Sequence, residues 1–539
     1  MEMNLSPLFL GSSVVLLFIL YKINTVGRRS KSMPPGPPTL PIIGNIHQIP
    51  TERSHFQFQK WAEEYGPVYS LMIGTRVMIV LSSDQAIRDL LDKRSAIYSA
   101  RPDYYIGQEV LSGNNRFVHL GYDETWRTVR KLGQRLFSMK VSESYIPYQD
   151  LESRAMLLGF LNKPDQFKNH IQRYTGSLAR QITFGIRCTT IDDPMLKEAF
   201  SIMEQHFRLA ASRTAALLDS FPILRRLPDA ILSVKRQSRK LYKKEHDMWL
   251  RLVSEAQARL TTEKAVPCFC ADLARLQKET GASDDVAADF GGNLFQANSE
   301  TTASILVGFV QALLIYPNVV KEAQAELDRV CGPRIPTLED MDSLPYIRGC
   351  VKETLRWMPG ALNGIPHAAL RDDEYLGYTI PKGATVMYNV WAVHNDGQRH
   401  PSPRVFDPSR WAGDSQTSAE AAANADVTKR DHFAFGAGRR LCPGIYIADR
   451  SLLLATARLL WAFDFRRAKD ANGNDIIPDM DDLTDSLFSL PRPFKADIIP
   501  REGKAELIME EWDKMREFLD DNLQWRHAPE AITERLEKV

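Results

Sequence analysis

The sequence predicts a mainly α-helical fold with a smaller β portion, arranged as a single large domain behind an N-terminal transmembrane helix. Three observations predict it. From about residue 120 to 360 glycines are few, Leu and Ala are common, and charges recur at helical spacing. Two strand-like stretches, "PVYSLMIGTRVMIVLSS" and "EYLGYTIPKGATVMYNV", flank that block, so both ends of the chain contribute to the β portion, and this interleaving argues for one domain. Leu5 to Tyr21 is an uncharged, mostly apolar run, slightly short of the roughly 20 residues that cross a bilayer.

Taken in order, residues 1–31 read as a membrane anchor with its basic flank. Glu2 precedes the apolar run, and Lys22, Arg28, Arg29 and Lys31 follow it. A cleaved signal has its charge before the run, so an uncleaved anchor is favoured, with the basic side and the body of the chain on the cytoplasmic face. Residues 32–45 are a Pro-rich hinge. Four prolines and a glycine between Pro34 and Pro38 admit neither helix nor sheet, and favour a stiff extended spacer. Residues 46–499 form the body. They open on a β-hairpin around Gly-Thr, pass through the helical block and the later strands, and reach a loop-rich stretch from about Asn395 to Gly438. The low-complexity run near 418 to 424 reads as a surface insertion. Residues 500–539 are a C-terminal extension. Ile508, Trp512, Met515, Leu519 and Leu523 recur at helical spacing, which predicts an amphipathic helix docked on the body or on a partner.

The 539 residues are 44% hydrophobic, ample for a large core, and the net charge of +1 offers no basic field for nucleic acid. The six cysteines (Cys188, Cys268, Cys270, Cys331, Cys350 and Cys442) show no regular framework, which points to a reduced compartment. Cys268 and Cys270 have no second pair or His cluster nearby, so they read as buried or loop thiols rather than a zinc site.

One cysteine stands apart. Phe435, Gly438, Arg440, Cys442 and Gly444 fit F-x-x-G-x-R-x-C-x-G. Taken alone, Cys442 is open to four readings: disulfide partner, buried apolar residue, nucleophile or metal ligand. A thiolate that binds iron needs a turn presenting its sulfur, donors for its charge, and little bulk nearby. Gly436, Gly438 and Gly444 let the backbone bend and approach a flat group closely. Pro443 and Gly444 suit a helix start, whose positive end favours a thiolate. Arg440 can meet a carboxylate with a two-pronged hydrogen bond.

At these residues the sequence resembles the cytochrome P-450 monooxygenases, in which this loop supplies the axial thiolate of haem iron. The resemblance runs from the anchor to about Ile499, and other motifs follow in the family's order. "KETLRW" places Glu353 and Arg356 on one helix face, and "FDPSRW" supplies Arg410. The resemblance implies that this trio is a structural lock on the cysteine-bearing segment. "FQANSETTAS" resembles the helix over the distal face, with Glu300 and Thr301 as the acid and hydroxyl that relay protons to dioxygen. Asn298 stands where glycine is usual and would narrow the oxygen groove or contact substrate. Trp126, Arg130, His367 and Arg440 resemble contacts to the haem propionates. Arg127, Lys131 and Arg135 form a second stripe on the Trp126 helix, read equally as a reductase-docking face or a plain solvated one.

The resemblance implies haem b as cofactor, O2 as co-substrate, and electrons from NADPH through a separate reductase, with cytochrome b5 as a further partner. It implies an apolar small-molecule substrate facing Phe117, Leu294, Ala297, Asn298, Ala361, Ile365 and Phe488. The loop details look most like fungal members that tailor secondary metabolites of polyketide, terpenoid or alkaloid type. The anchor implies the endoplasmic reticulum membrane. Two rival readings remain: an O2-independent isomerase or dehydratase on the same fold, and a non-catalytic haem-binding membrane protein. The adjacent Glu300 and Thr301 argue against both.

Overall fold

Val68–Ile73 (β1) and Arg76–Leu81 (β2) pair antiparallel through a turn in which Gly74 takes φ 61°, as the hairpin pattern predicts. These lie in a computed structural model that describes residues 21, 25–259, 266, 268–281 and 283–537. The short His367–Ala368 (β3), the Asp373–Tyr375 (β4) and Tyr378–Ile380 (β5) hairpin, and Thr385–Tyr388 (β6) come late in the chain. β6 inserts between β2, to which it is parallel, and β3, giving the sheet order β1-β2-β6-β3. Phe463–Arg467 (β7) and Ala496–Pro500 (β8) form a separate antiparallel pair. Early and late parts of the chain thus meet in one sheet, and the fold overall is mainly helical, at 57%.

Eight helices frame the site. They are Glu124–Leu136 (α1), Ile146–Asn162 (α2), Phe167–Phe184 (α3), Pro194–Ala210 (α4), Ser233–Arg259 (α5), Asp284–Ile315 (α6), Pro345–Trp357 (α7) and, after Ser418–Ala423 (α8), Ile445–Ala462 (α9). α6 is the axis of the body. Ser283 caps its start by accepting the Val286 N–H, Asp284 and Asp285 suit the positive end, and Pro317 follows its last turn. Its second half, Thr302 to Leu314, is buried on every side. Leu306, Val310, Leu313 and neighbours form the main core with Leu355 and Trp357 of α7 and Leu459 and Trp461 of α9.

The expected anchor, residues 5–20, lies outside the described residues. Among the described residues no single helix is long and apolar enough to cross a membrane. The Pro-rich stretch runs along β1 instead of standing off the body. Ser70 donates through its hydroxyl to the Pro34 carbonyl (2.6 Å), and Arg29 donates to the Gly36 and Pro37 carbonyls. A segment that cannot pair with itself is satisfied by side chains from its neighbours.

The run at 418–424, expected as a surface insertion, is ordered: α8 opens on a Thr417–Glu420 capping box, its Ala421 is buried, and Ser418 donates to Asp449 Oδ1 of α9 (2.7 Å). In the extension, the helix Lys504–Arg516 (α10) ends before the predicted apolar series does. Asp520 then accepts the backbone N–H groups of Asn522 and Gln524, turning the chain so that Leu519 pairs with Trp525. The extension docks on the body. Ile508 is buried, Trp525 Nε1 donates to Gln181 of α3 (2.7 Å), and Glu511 pairs with Arg154 of α2. Cys268 and Cys270 are buried, and burial raises both thiols, Cys268 to about 11.

Candidate functional site

The cysteine loop is closed by the Cys442 N–H donating to the Phe435 carbonyl (2.9 Å). Glycine is required at Gly438. It has φ 62°, a Cβ there would come 1.9 Å from the Leu91 carbonyl oxygen, and its N–H donates to Asp92 Oδ1 (2.6 Å). Gly436, at φ 81°, supplies the second left-handed residue. Gly444 is less constrained than expected, since its φ is −88° and a Cβ would meet only Asn298 Oδ1 at 3.6 Å, an ordinary contact. Burial raises the Cys442 thiol above its ordinary value, opposed by a hydrogen bond from the Gly444 N–H and by the charge of Arg130. Sulfur, backbone donor and cation are therefore assembled as a thiolate ligand requires.

Behind the loop lies the trio on α7. Glu353 and Arg356 are both fully buried and joined by two hydrogen bonds, Nε to Oε2 at 2.8 Å and Nη2 to Oε1 at 2.7 Å. Arg410 Nε (3.2 Å), Trp411 Nε1 (3.1 Å) and the Asp407 N–H (3.0 Å) complete the shell of Glu353. Its connection to the cysteine loop is a residue that sequence reasoning passed over. His394 donates from Nδ1 to the Arg356 carbonyl (2.9 Å) and accepts the Phe433 N–H at Nε2 (2.8 Å). That pattern needs a neutral ring, and burial holds its pKa well below the ordinary value. The lock thus reaches within two residues of Phe435.

Opposite the loop, the middle of α6 carries one stripe that is not buried. Asn293, Leu294, Ala297, Asn298, Glu300 and Thr301 are partly or fully exposed, as residues facing a hollow are. The Thr301 hydroxyl donates to the Ala297 carbonyl (2.8 Å), leaving its oxygen to accept. Glu300 Oε2 is buried without a partner, and burial, partly offset by Arg116, raises this carboxyl to about 7. An acid that is half protonated at neutral pH can give and take a proton. Asn298 Oδ1 faces Gly444 at the start of α9.

Between α6 and the loop the structure collects cations that form no ion pair among the described residues, with Asp123 acting on Arg440 only from a distance. Arg440 lies 4.2 Å over the Trp126 ring and donates to the carbonyls of Ser99 (2.9 Å) and Leu120 (2.8 Å). Arg101, which the motif reading missed, donates to the carbonyls of Val118, Ile365 and Pro366. Burial depresses Arg101 to about 10, and burial with repulsion from Arg101 and Arg130 depresses Arg440 to about 9. Among the described residues none of Arg101, Arg130 and Arg440 makes an ion pair, and Trp126 Nε1 and Arg130 Nε are buried without partners. His367 donates from Nδ1 to the Tyr98 carbonyl (2.6 Å), so its Nε2 remains for another group. Three partly buried guanidinium groups without an ion-paired carboxylate are unfavourable unless an anion joins them. A flat group with two carboxylates, seated above Cys442, fits these residues. Haem has that shape and charge.

The remaining sequence-predicted residues are brought round the same hollow. Phe117 packs against Phe290 of α6, with ring centroids 6.2 Å apart. Phe488 packs on Phe207 of α4 at 5.9 Å. The Ser489 N–H donates to the Gly360 carbonyl (2.7 Å), tying the Phe488 turn to the Ala361–Ile365 segment. On the outer face of α1, Arg127 is exposed over the Tyr122 ring (5.1 Å) and Lys131 is exposed, while the Arg135 side chain lies outside the described residues. Arg101 and His394 escaped the motif reading because each is a lone residue locally. "SARPD" signals only that Pro102 keeps Arg101 extended.

Comparison with known proteins gives the class first. Residues 34–496 match the family model described as Cytochrome P450, and the chain belongs to that family. Its relatives narrow the class to fungal monooxygenases. The chain is 54% identical over 524 residues to the cytochrome P450 monooxygenase virE of Hypocrea virens, covering 97% of this chain and 95% of that protein. It is 53% identical over 521 residues to fogE of Aspergillus ruber, covering 96% of each. It is 45% identical over 520 residues to fsoB of Humicola fuscoatra, again covering 96% of each. The chain is a cytochrome P450 monooxygenase, a class that works with haem iron, O2 and an electron donor.

Proposed function

We propose that this enzyme inserts one oxygen atom from O2 into an apolar small molecule, as a hydroxylation or multistep oxidation in a fungal secondary-metabolite pathway. The observation that carries the reading is the cluster of Arg101, Arg130, Arg440 and Trp126, unpaired with any carboxylate among the described residues, beside a thiol whose loop meets α6 at Asn298. Cys442 Sγ is the iron ligand, and the Gly444 N–H and Arg130 steady its negative charge. Arg101, Trp126, Arg130, His367 and Arg440 hold the two propionates of haem b. A carboxylate beside His367 Nε2 favours a second proton on that ring. When bound, haem supplies the activation of dioxygen.

The protein's own residues do the rest. Glu300, near its midpoint at neutral pH, holds a proton it can give to the reacting group, and the Thr301 hydroxyl, whose hydrogen points to the Ala297 carbonyl, accepts a hydrogen bond beside it. Phe117, Leu294, Ala297 and Phe488 wall the hollow and exclude water. Glu353, Arg356, Arg410 and His394 hold the loop in register. Electrons come from NADPH through a reductase, with cytochrome b5 as a second donor, and Arg127 and Lys131 belong to the face that meets them. Residues 1–31 anchor the enzyme in the endoplasmic reticulum membrane with the body cytoplasmic, so removing them releases protein from the membrane fraction. The test is turnover of fungal extracts with reductase, NADPH and isotopically labelled O2. Product carrying one labelled oxygen supports the reading, and product formed without NADPH and O2 refutes it in favour of an isomerase or dehydratase.

A further inference from the structure

The wall of the hollow is not wholly apolar. Arg116, in the segment before α1, donates to Gln296 Oε1 of α6 (2.9 Å) and to Glu245 Oε1 of α5 (2.9 Å), and lies 3.1 Å from His206 Nδ1 of α4. Gln296 Nε2 also donates to Glu245 (2.6 Å). The cluster ties four segments together and cancels its own charge, since Arg116 and Glu245 form a buried ion pair at 2.9 Å. Arg116 therefore has no charge left to offer a ligand.

Three residues on stands His119. Its neighbours place it on the wall of the hollow. Phe117 packs on α6, Val118 presents its carbonyl to Arg101, and Leu120 presents its carbonyl to Arg440. His119 thus lies between Arg116, which meets α6, and Arg101, one of the cations around Cys442. Its ring rests 5.5 Å from that of Tyr104, and its Nδ1 is buried with no hydrogen-bond partner. Burial and the surrounding Arg116, Arg101 and His206 hold its pKa well below the ordinary value, so the ring is neutral. A neutral imidazole has one N–H donor and one acceptor, and leaving either unpaired inside a protein is costly.

We propose that His119 is the polar anchor of the substrate site, pairing with a neutral hydroxyl or carbonyl oxygen on an otherwise apolar substrate. The inference rests on the monooxygenase reading and sharpens it. The cations near the anchor are accounted for: Arg116 by Glu245, and Arg101 and Arg440 by the propionates they are proposed to hold. A carboxylate on the substrate therefore finds no free counter-charge there. An apolar molecule without oxygen would bind but leave His119 unpaired. A substrate held at one oxygen is fixed in orientation, which decides the carbon that is oxidised.

The test uses the full-length holoenzyme in detergent and follows the Soret change as ligand replaces water. The probes are naphthalene, 2-naphthol and 2-naphthoate. Wild type is expected to bind 2-naphthol about fivefold more tightly than naphthalene, the ratio for one net hydrogen bond. 2-Naphthoate is expected to bind more weakly than either. His119→Phe should bring the naphthol-to-naphthalene ratio to within about twofold of unity with the naphthalene affinity unchanged, and His119→Gln should restore part of it. A general disturbance of the pocket would shift all three probes together and overturn the assignment. So would an unchanged ratio in His119→Phe, a preference for naphthoate, or no response to any probe while the carbon monoxide complex is normal. Failure of the underlying reading looks different: wild-type protein without a thiolate-type carbon monoxide complex.

Discussion

Replacing Glu353 by Gln tests how the cysteine loop is held. Glu353 is 0% exposed and accepts five hydrogen bonds, two from Arg356 and one each from Arg410, Trp411 and the Asp407 N–H. Gln keeps the volume but not the charge, and its amide NH2 must face donors. Arg356, itself 0% exposed, is left as a buried cation with only the His394 and Val405 carbonyls for company. Removing one partner of a buried pair costs about 3–5 kcal/mol. Set against a total stability of about 5–15 kcal/mol, that is a third or more. The disturbance passes from the Arg356 carbonyl through His394 to Phe433, so haem retention falls along with stability. The assay is urea unfolding of the holoenzyme, read by circular dichroism and by the Soret band. Glu353→Gln should lower the midpoint strongly and shed haem first. The double variant Glu353→Gln/Arg356→Met removes the orphaned charge and should recover part of the loss. A single variant within about 1 kcal/mol of wild type, or a double variant no better than the single, would refute the reasoning.

Two further perturbations address the opposite wall and the loop. With its carboxyl at about 7, Glu300 is mostly protonated below that pH and mostly ionised above it, so coupled turnover should fall as pH rises through about 7. Glu300→Gln should be slower at every pH and lose that limb; a pH profile identical to wild type would count against the relay. Gly438→Ala places a methyl 1.9 Å from the Leu91 carbonyl at a backbone φ of 62°. It should cost more than the ~1 kcal/mol of a typical substitution and abolish haem binding in protein expressed at 37 °C, whereas Gly444→Ala, facing only an ordinary contact, should retain haem.

Much of this architecture was legible because it is written locally. The β1–β2 hairpin follows from alternation around Gly-Thr, and α6 falls within the helical block and carries the Glu300–Thr301 motif. The cysteine loop was legible because glycines, arginine and cysteine fall within ten residues. What escaped depends on distant partners. Arg101 meets Ile365 and Pro366, His394 bridges Arg356 and Phe433, and Arg116 meets residues of α4, α5 and α6. No spacing rule links such positions. The predicted C-terminal helix ran too far for another reason. Leu519 and Leu523 keep helical spacing, but Asp520 side-chain bonds to the backbone win over helix continuation.

The central claim is that Cys442 sulfur is the iron ligand in a site completed by the arginine cluster. The most direct measurement is the Soret band of the reduced carbon monoxide complex, recorded for wild type and Cys442→His holoprotein. The account predicts a strongly red-shifted, thiolate-type band in wild type and its replacement by an imidazole-type band in the variant, with haem still bound through Arg101, Arg130 and Arg440. A thiolate-type band that survives in Cys442→His would contradict it.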